Sequence, residues 1–336
     1  MPKKVRMVSV AATIPEIIRT SAECEEIISR SVAGFKPRKG VIKAISGIRE
    51  RRVAADDMQC SDLAVDACRQ VLDEANVDIK DVDLLIYASA GQDMLEPATS
   101  HIVQSKLGTS CAVFDVKNAC NSFLNGLQLA EALISKGTCK TALVSVGEVN
   151  SRAVDWNARD MSEFKRNLPG YTMGDAGAAA LFAPAKGGNG IFYINFSSFS
   201  DHWHLTTLSG GGSMHPRGDE YSYLRANGAE LQKVFREEGL PFLRRVMHEA
   251  NVSYTDFQRI FVHQVSLSYM HEMLEESGIP VDLVEETVVS FGNMAAASIP
   301  VAMAQAKARG AIGPGDRIMC IGLASGISIG VVMIDL

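Results

Sequence analysis

Three residues of this chain have types suited to acyl chemistry: Cys120, His263 and Asn293. A cysteine sulfur attacks an activated carbonyl, while an imidazole and a carboxamide can donate to an oxygen that gains negative charge. Cys120 follows the apolar run ending at Val116 and opens a helical pattern with Phe123, Leu124, Leu127, Ala130 and Ile134. Unpaired N–H groups and the dipole at a helix N-terminus stabilise a thiolate, so the position predicts a thiol of lowered pKa. The competing reading is a small core cysteine. That reading suits Cys68, Cys139 and Cys320, which sit inside apolar patterns. His263 ends the strand-like Ile260-Phe-Val and precedes a helix, where sites form in α/β folds. A lone histidine there is otherwise a satisfied structural one. Asn293, in Ser290-Phe-Gly-Asn293-Met-Ala-Ala-Ala-Ser-Ile-Pro, reads by itself as a helix N-cap.

Nothing else competes with these three. His101, His248 and His271 fall on presumed helices, and His202-Trp-His204 offers two ligands without a third, so no metal site is expected. The chain has no GxxxxGK[ST], HExxH or GxSxG pattern. The residue types alone leave thioester chemistry and amide hydrolysis open.

Composition bounds the setting. At 336 residues the chain suggests roughly two units. Its 47% hydrophobic and 21% charged residues are ordinary for a globular protein. Lys and Arg total 33 against 39 Asp and Glu, a net charge of −6, which argues against nucleic acid as the main partner. No apolar run approaches the ~18 residues of a membrane span, so no membrane insertion is expected. The start, Met1-Pro-Lys-Lys-Val-Arg-Met, reads as a first strand rather than a signal peptide. Seven cysteines without a CxxC pair argue against a disulfide framework and for a reducing cytoplasm.

The elements that must position Cys120, His263 and Asn293 repeat. Val71, Glu74, Ala75, Asn76, Val77 and Asp81 recur as Val246, Glu249, Ala250, Asn251, Val252 and Asp256, 175 residues on. Leu143-Val-Ser-Val-Gly147 recurs at the same offset as Ile318-Met-Cys-Ile-Gly322. Duplication is the better account of one offset at two separated places. Each half alternates helix and strand. In the first, helices are expected at 63–76, 99–107 and 121–135, with strands at 84–89, 112–116 and 142–147. In the second, helices are expected at 231–251, 267–277 and 295–309, with strands at 259–262, 284–289 and 317–321. Strands this apolar are covered on both faces, giving two α/β layers with a cleft at their seam. The halves are taken as residues 1–175, with the cysteine, and 176–336, with the histidine and asparagine. Lys136-Gly137 and Arg309-Gly310 close corresponding helices, and that local register pairs Cys120 with Asn293. Residues 151–170 and 192–217 read as long irregular segments of the kind that line sites.

At this point the chain resembles the thiolase-like condensing enzymes, in the branch of ketoacyl-acyl-carrier-protein synthase III. The resemblance rests on Gly47-Ile-Arg-Glu-Arg-Arg52, Asn-Ala-Cys120, Gly174-Asp-Ala-Gly-Ala, His263-Gln, Phe291-Gly-Asn293 and Gly326-Ile-Ser-Ile-Gly330. It implies a five-layered αβαβα fold and a homodimer. It implies that Cys120 becomes S-acylated and that the N–H groups of Cys120 and Gly326 form an oxyanion hole. His263 and Asn293 are then donors to the second substrate's thioester oxygen as its α-carbon becomes an enolate. The implied substrates are coenzyme A or acyl-carrier-protein thioesters, with no cofactor.

The departures from that pattern carry information. Priming enzymes usually read His-Gln-Ala-Asn, and this chain has His263-Gln-Val-Ser266. Ser268 replaces an arginine used in carrier docking, and Val41 replaces an aromatic residue that stacks on adenine. Arg49, Arg51 and Arg52 are candidate phosphate contacts, and Arg49, Arg52, Ser266 and Phe291 are taken as substrate-binding positions. Glu96, in Asp93-Met-Leu-Glu96-Pro-Ala-Thr, stands where the priming enzymes have an apolar residue that enters the partner's acyl tunnel. A glutamate there is similar to the condensing enzyme of the head-to-head olefin pathway, in which a carboxylate removes an α-proton. Apolar surroundings would raise its pKa for that task; the competing reading is an exposed glutamate ahead of a helix. The resulting expectation is Claisen condensation of two acyl thioesters, with Glu96 as base. The alternatives are decarboxylative condensation with malonyl-carrier protein, ester or amide formation on the same scaffold, and a catalytically silent partner subunit.

Overall fold

The computed structural model describes residues 4–185 and 187–336. The strands are β1 (Val5–Thr13), β2 (Ile17–Thr20), β3 (Glu50–Val53), β4 (Leu84–Ala88), β5 (Ala112–Val116), β6 (Ala142–Glu148), β7 (Ala176–Pro184), β8 (Gly190–Ser198), β9 (Thr206–Thr207), β10 (Arg225–Ala226), β11 (Arg259–Val262), β12 (Arg317–Ala324) and β13 (Ser328–Asp335). The α-helices are α1 (Ser21–Ser31), α2 (Val41–Ser46), α3 (Cys60–Ala75), α4 (Thr99–Leu107), α5 (Ser122–Ser135), α6 (Met161–Tyr171), α7 (Gly228–Val234), α8 (Leu240–Ala250), α9 (Leu267–Ser277), α10 (Val288–Phe291) and α11 (Ser298–Ala308).

One sheet has the order β1-β7-β6-β4-β5 and the other β11-β12-β13-β8. β4 is parallel to β5 and β6, and β11 is parallel to β12; β7 and β13 run antiparallel to β6 and β12. The second sheet therefore repeats the order and directions of β4, β6, β7 and β1, without a strand in the place of β5. Side chains alternate across each strand, and that alternation sorts them into layers. Ile86, Val144 and Val146 share one core with Ile318, Cys320 and Val332, and with Leu127 of α5 and Met303 of α11. Leu85, Tyr87 and Leu143 face the other way and pack with α3, while Met319, Ile321 and Met333 pack with α8 and α9. The result is the expected αβαβα order. Helices α5 and α11 lie between two sheets, which is why their sequences are apolar nearly all round.

Several expectations need correction. Strand β7 pairs with β1 and β6, so a boundary at 175/176 cuts the first sheet; the halves divide between Pro184 and Gly190. Helices α5 and α11 start at Ser122 and Ser298, 176 residues apart, but run for 14 and 11 residues. A register taken from their C-terminal ends therefore slips by three at their starts, and Cys120 corresponds to Ala296 rather than to Asn293. The strand expected at 284–289 shrinks to one parallel bridge, Ile260 with Val284. The Gln264 carboxamide takes the next main-chain groups: it donates to Glu285 O (2.6 Å) and accepts from the N–H of Thr287 (2.9 Å) and Val288 (3.0 Å). The helix expected at 231–251 is divided by a π-helical turn, Phe235–Gly239, where a Cβ on Gly239 would come within 2.5 Å of the Phe235 ring. The segment 151–170 contains α6, capped by Asp160 Oδ1, and residue 192 lies within β8.

Candidate active site

Cys120 sits two residues ahead of α5, after a tight turn. Ala119 has φ 46°, Asn121 N–H donates to Asn118 O (3.0 Å), and Ser122 Oγ donates to Ala119 O (2.7 Å). The turn is tied to the second sheet. Asn121 Nδ2 donates to the Ser328 carbonyl (3.0 Å) and to its Oγ (2.8 Å), and Asn118 Nδ2 reaches the same hydroxyl at 3.2 Å. Ser328 opens β13, two residues after Gly326, so this clamp brings the β12–β13 tip to the cysteine. Gly326 has φ 123°, a backbone conformation that only glycine adopts readily. Among the described residues, neither the Cys120 nor the Gly326 N–H donates to a main-chain carbonyl.

His263 and Asn293 are both buried, 3% and 7% exposed. His263 directly follows β11, and its N–H donates to Ile321 O (2.9 Å). Asn293 is threaded between the halves: its N–H donates to Thr172 O (2.8 Å) and its carbonyl accepts from Gly174 N–H (2.9 Å). That contact requires Gly174, because a Cβ there would lie 2.0 Å from Phe291 O. The Asn293 side chain is oriented by the Ala295 N–H, which donates to Oδ1 at 3.0 Å. No hydrogen bond among the described residues engages its Nδ2, which is left as a donor. The buried Nδ1 of the His263 ring has no hydrogen-bond partner among the described residues.

Electrostatics at the cysteine reverse the expectation from its helix. Burial pushes the Cys120 thiol up to about 12, and the negative charge of Glu148 pushes the same way. Loss of water around a thiolate disfavours its charged form. Burial also pushes the His263 imidazole down to about 4, so it is neutral at physiological pH. A neutral imidazole can donate one hydrogen bond without carrying charge.

Glu148 itself was not singled out by sequence reasoning. It ends β6 and is fully buried. A glutamate closing the otherwise apolar run Ala142-Leu-Val-Ser-Val-Gly147 was the available signal. Gln264, 1% exposed, stands out in the sequence only as the neighbour of His263, yet it fixes the chain between β11 and α10.

The remaining sequence candidates are spread out. Glu96 is exposed on the loop between β4 and α4, directly after exposed Met94 and Leu95. Arg49 is exposed and donates to Ser290 Oγ (3.1 Å). Arg52 lies over the Phe291 ring, 5.8 Å from its centroid, and donates to Pro15 O (3.4 Å). Arg51 is not a phosphate contact: it is 2% exposed, with its guanidinium on Arg19 O, Ser21 Oγ and Tyr171 O. Ser266 is the N-cap of α9, its Oγ accepting from Tyr269 N–H (3.2 Å), and that role accounts for it without a substrate. Among the described residues no cluster of three or more His, Cys, Asp or Glu could hold a metal ion, and no helix is long and apolar enough to cross a membrane.

Comparison with known proteins agrees with this geometry. The family models for 3-oxoacyl-[acyl-carrier-protein] synthase III match residues 114–200, and those for its C-terminal part match residues 247–336. β-Ketoacyl-[acyl-carrier-protein] synthase III of Bacillus pumilus is 30% identical over 322 residues, 95% of either chain. Synthase III 1 of Bacillus cereus is 29% identical over 330 residues, 98% of this chain and 97% of that one. Among solved structures, cerulenin-bound OleA of Xanthomonas campestris superposes with TM-score 0.90 at 25% identity, over 100% of this chain and 98% of that one. A cysteine-to-serine OleA variant with bound lauric acid and lauroyl-CoA gives TM-score 0.89 at 25% identity, over 100% of both chains. On these matches, and with its duplicated αβαβα fold, the chain belongs to the 3-oxoacyl-acyl-carrier-protein synthase III family of thiolase-like acyl-condensing enzymes.

Proposed function

We propose that the protein joins two acyl thioesters by non-decarboxylative Claisen condensation. In the first step the Cys120 sulfur attacks a thioester carbonyl. A new C–S bond forms, the donor's C–S bond breaks, and the donor thiol leaves with the proton. The N–H groups of Cys120 and Gly326, which have no main-chain acceptor among the described residues, are suited to the oxyanion of that step. In the second step a base takes an α-proton from the other acyl thioester. Asn293 Nδ2 and the neutral His263 ring supply hydrogen bonds to the enolate oxygen. The α-carbon then attacks the S-acyl carbonyl, a C–C bond forms, and the Cys120 thiolate departs and regains a proton. The products are a β-ketoacyl thioester and free Cys120. No cofactor enters these steps.

The observation that carries this version is Glu96, which directly follows exposed Met94 and Leu95 and has no hydrogen-bond or salt-bridge partner among the described residues. Two exposed apolar side chains next to a carboxylate suit insertion into another apolar surface better than solvent. The reading is that a second copy of the chain receives this loop, and that Glu96 serves as base in the partner's acyl tunnel. A homodimer is therefore part of the proposal. Structures of OleA similar to this chain include variants in which a glutamate, a cysteine or a histidine is replaced.

The second reading is decarboxylative condensation with a malonyl thioester. It is favoured by the relatives, which are named β-ketoacyl-acyl-carrier-protein synthase III. Incubation of the purified protein with two fatty acyl-CoA molecules, with and without malonyl thioester, separates the two. Product from acyl-CoA alone supports the first reading. Product only with malonyl thioester, with release of carbon dioxide, supports the second.

A further inference from the structure

Asn121, the residue after the nucleophile, is buried, and its carboxamide lies across the β12–β13 hairpin of the other half. Nδ2 donates to the Ser328 carbonyl (3.0 Å) and to Ser328 Oγ (2.8 Å), at the start of β13. Oδ1 faces Gly322 on β12, where a Cβ would come within 1.8 Å of it. That oxygen has no hydrogen-bond partner among the described residues. The orientation is the one its neighbours require, because an oxygen turned toward the Ser328 carbonyl would set acceptor against acceptor. Ser328 Oγ also accepts from Asn118 Nδ2 (3.2 Å), which is bonded in turn to Asn125 Oδ1 (2.8 Å). A buried side chain that leaves one of its own oxygens unpaired in order to hold a distant strand calls for a reason beyond packing.

The geometry of the hairpin supplies one. β12 and β13 pair as far as Ala324 with Ser328, so the tip between them is only Ser325, Gly326 and Ile327. Ser328 is held by Asn121. Ile327 is held by Phe199, whose N–H donates to the Ile327 carbonyl at 2.8 Å. Gly326, at the middle of a three-residue tip, is therefore placed by these two anchors. Its N–H belongs to one half of the molecule, and the Cys120 N–H belongs to the other. The two can serve one oxyanion only if the halves are in register at this point, within the roughly 0.5 Å that such a site tolerates. Asn121 makes that connection directly, one residue from Cys120 and two from Gly326.

We propose that Asn121 is a positioning residue for acyl transfer: by clamping Ser328 it fixes the separation of the Cys120 and Gly326 N–H groups, and Gly322 provides the space its carboxamide needs. In the step it serves, the Cys120 sulfur adds to the thioester carbonyl, a C–S bond forms and an electron pair moves to the oxygen between the two N–H groups. Collapse of that oxyanion breaks the donor's C–S bond, and the donor thiol leaves with the proton given up by Cys120. Asn121 touches none of these atoms. The same sulfur displaces iodide from iodoacetamide without forming an oxyanion, so the clamp has no part in alkylation. The inference rests on the proposed roles of Cys120 and Gly326, but not on which condensation follows.

The test compares two rates at Cys120 in the full-length protein, each read by mass spectrometry of the Cys120 peptide: acylation by acetyl-CoA or lauroyl-CoA, and alkylation by iodoacetamide. Asn121→Ala is expected to slow acylation by about tenfold or more and to change alkylation by less than about twofold. Ser328→Ala leaves the carbonyl bond in place and is expected to slow acylation by about fivefold, the worth of one hydrogen bond. The double variant is expected to lose no more than Asn121→Ala alone, since both act through one clamp. An unchanged acylation rate in folded Asn121→Ala, or acylation and alkylation falling together, would overturn the proposal. Should Asn121→Ala not fold, a wild-type ratio of the two rates in Ser328→Ala does so. Alkylation of the wild-type cysteine with no acyl adduct from either thioester would remove the nucleophile reading itself, and is distinguishable from a clamp that makes no difference.

Discussion

Ala119 and Ala295 hold the same left-handed backbone, φ 46° in each, three residues ahead of the first residue of α5 and of α11. The conformation costs an L-residue about 1–2 kcal/mol, and the two halves keep it at matching places. Ala119 turns the chain into Cys120, while Ala295 orients Asn293. Ala119→Gly and Ala295→Gly should change stability by less than about 1 kcal/mol, since relief of strain offsets the added freedom of the unfolded chain. Ala119→Val and Ala295→Val should cost about 2 kcal/mol or more and slow acylation and condensation respectively. Urea unfolding with an acylation assay checks this. Equal losses for Gly and Val at one site would show that the backbone conformation is not the constraint there.

Much of the scaffold was legible because burial writes itself as pattern. β4 and β6 are buried at every position, so their sequences read as apolar runs between helices. Cys120 and His263 were legible from their places at the ends of strands, and Gly174 and Gly326 from the motifs around them. What was hidden is what depends on partners from distant sequence. The Cys120 thiol is pushed up first by burial and then by the charge of Glu148 on β6, neither of which the local sequence shows. The bridge that replaces a strand at Val284 depends on Gln264, a side chain that pairing patterns ignore. The helix α6 was concealed by a polar face over buried Phe164, Asn167 and Tyr171, although Asp160 is a good capping signal.

Cys120 should accept an acyl group from acyl-CoA in the absence of any second substrate. Mass spectrometry after brief exposure should show one acyl adduct on the Cys120 peptide. Cys120→Ala should show none and should lose about a thousandfold or more in condensation rate. An adduct on Cys60 or Cys111 in place of Cys120 would contradict the assignment.

Glu96 and Ser266 should separate cleanly. Glu96→Ala should leave acyl transfer to Cys120 intact while lowering condensation of two acyl-CoA molecules by about 10²–10⁴-fold, the range of a lost general base. Ser266→Ala removes only the α9 cap, and should cost about 1 kcal/mol of stability with kcat/KM unchanged. A Ser266→Ala protein of normal stability with a raised KM would restore that hydroxyl to the substrate site.

Stability against pH should show two buried groups working in opposite directions. His263 is held down to about 4 from an ordinary 6.5, because its charged form is disfavoured by burial. Between those values the unfolded chain binds a proton that the folded chain does not, so this group costs stability as pH falls. Glu148 is held up to about 7 from an ordinary 4.5. Between those values the folded chain holds the extra proton, so this group adds stability at low pH that is lost as pH rises. Each contribution amounts to about 3 kcal/mol over its window. In the wild-type protein the two slopes should largely cancel between about pH 4.5 and 6.5. Measured against wild type, His263→Asn should gain about 3 kcal/mol as pH falls from 7 to 4, and Glu148→Gln should gain about 3 kcal/mol as pH rises from 4.5 to 7. Urea unfolding of the three proteins across that range reads both differences directly. A His263→Asn curve parallel to wild type would mean that the histidine is charged in the folded protein, and the enolate would then face an imidazolium rather than a neutral donor.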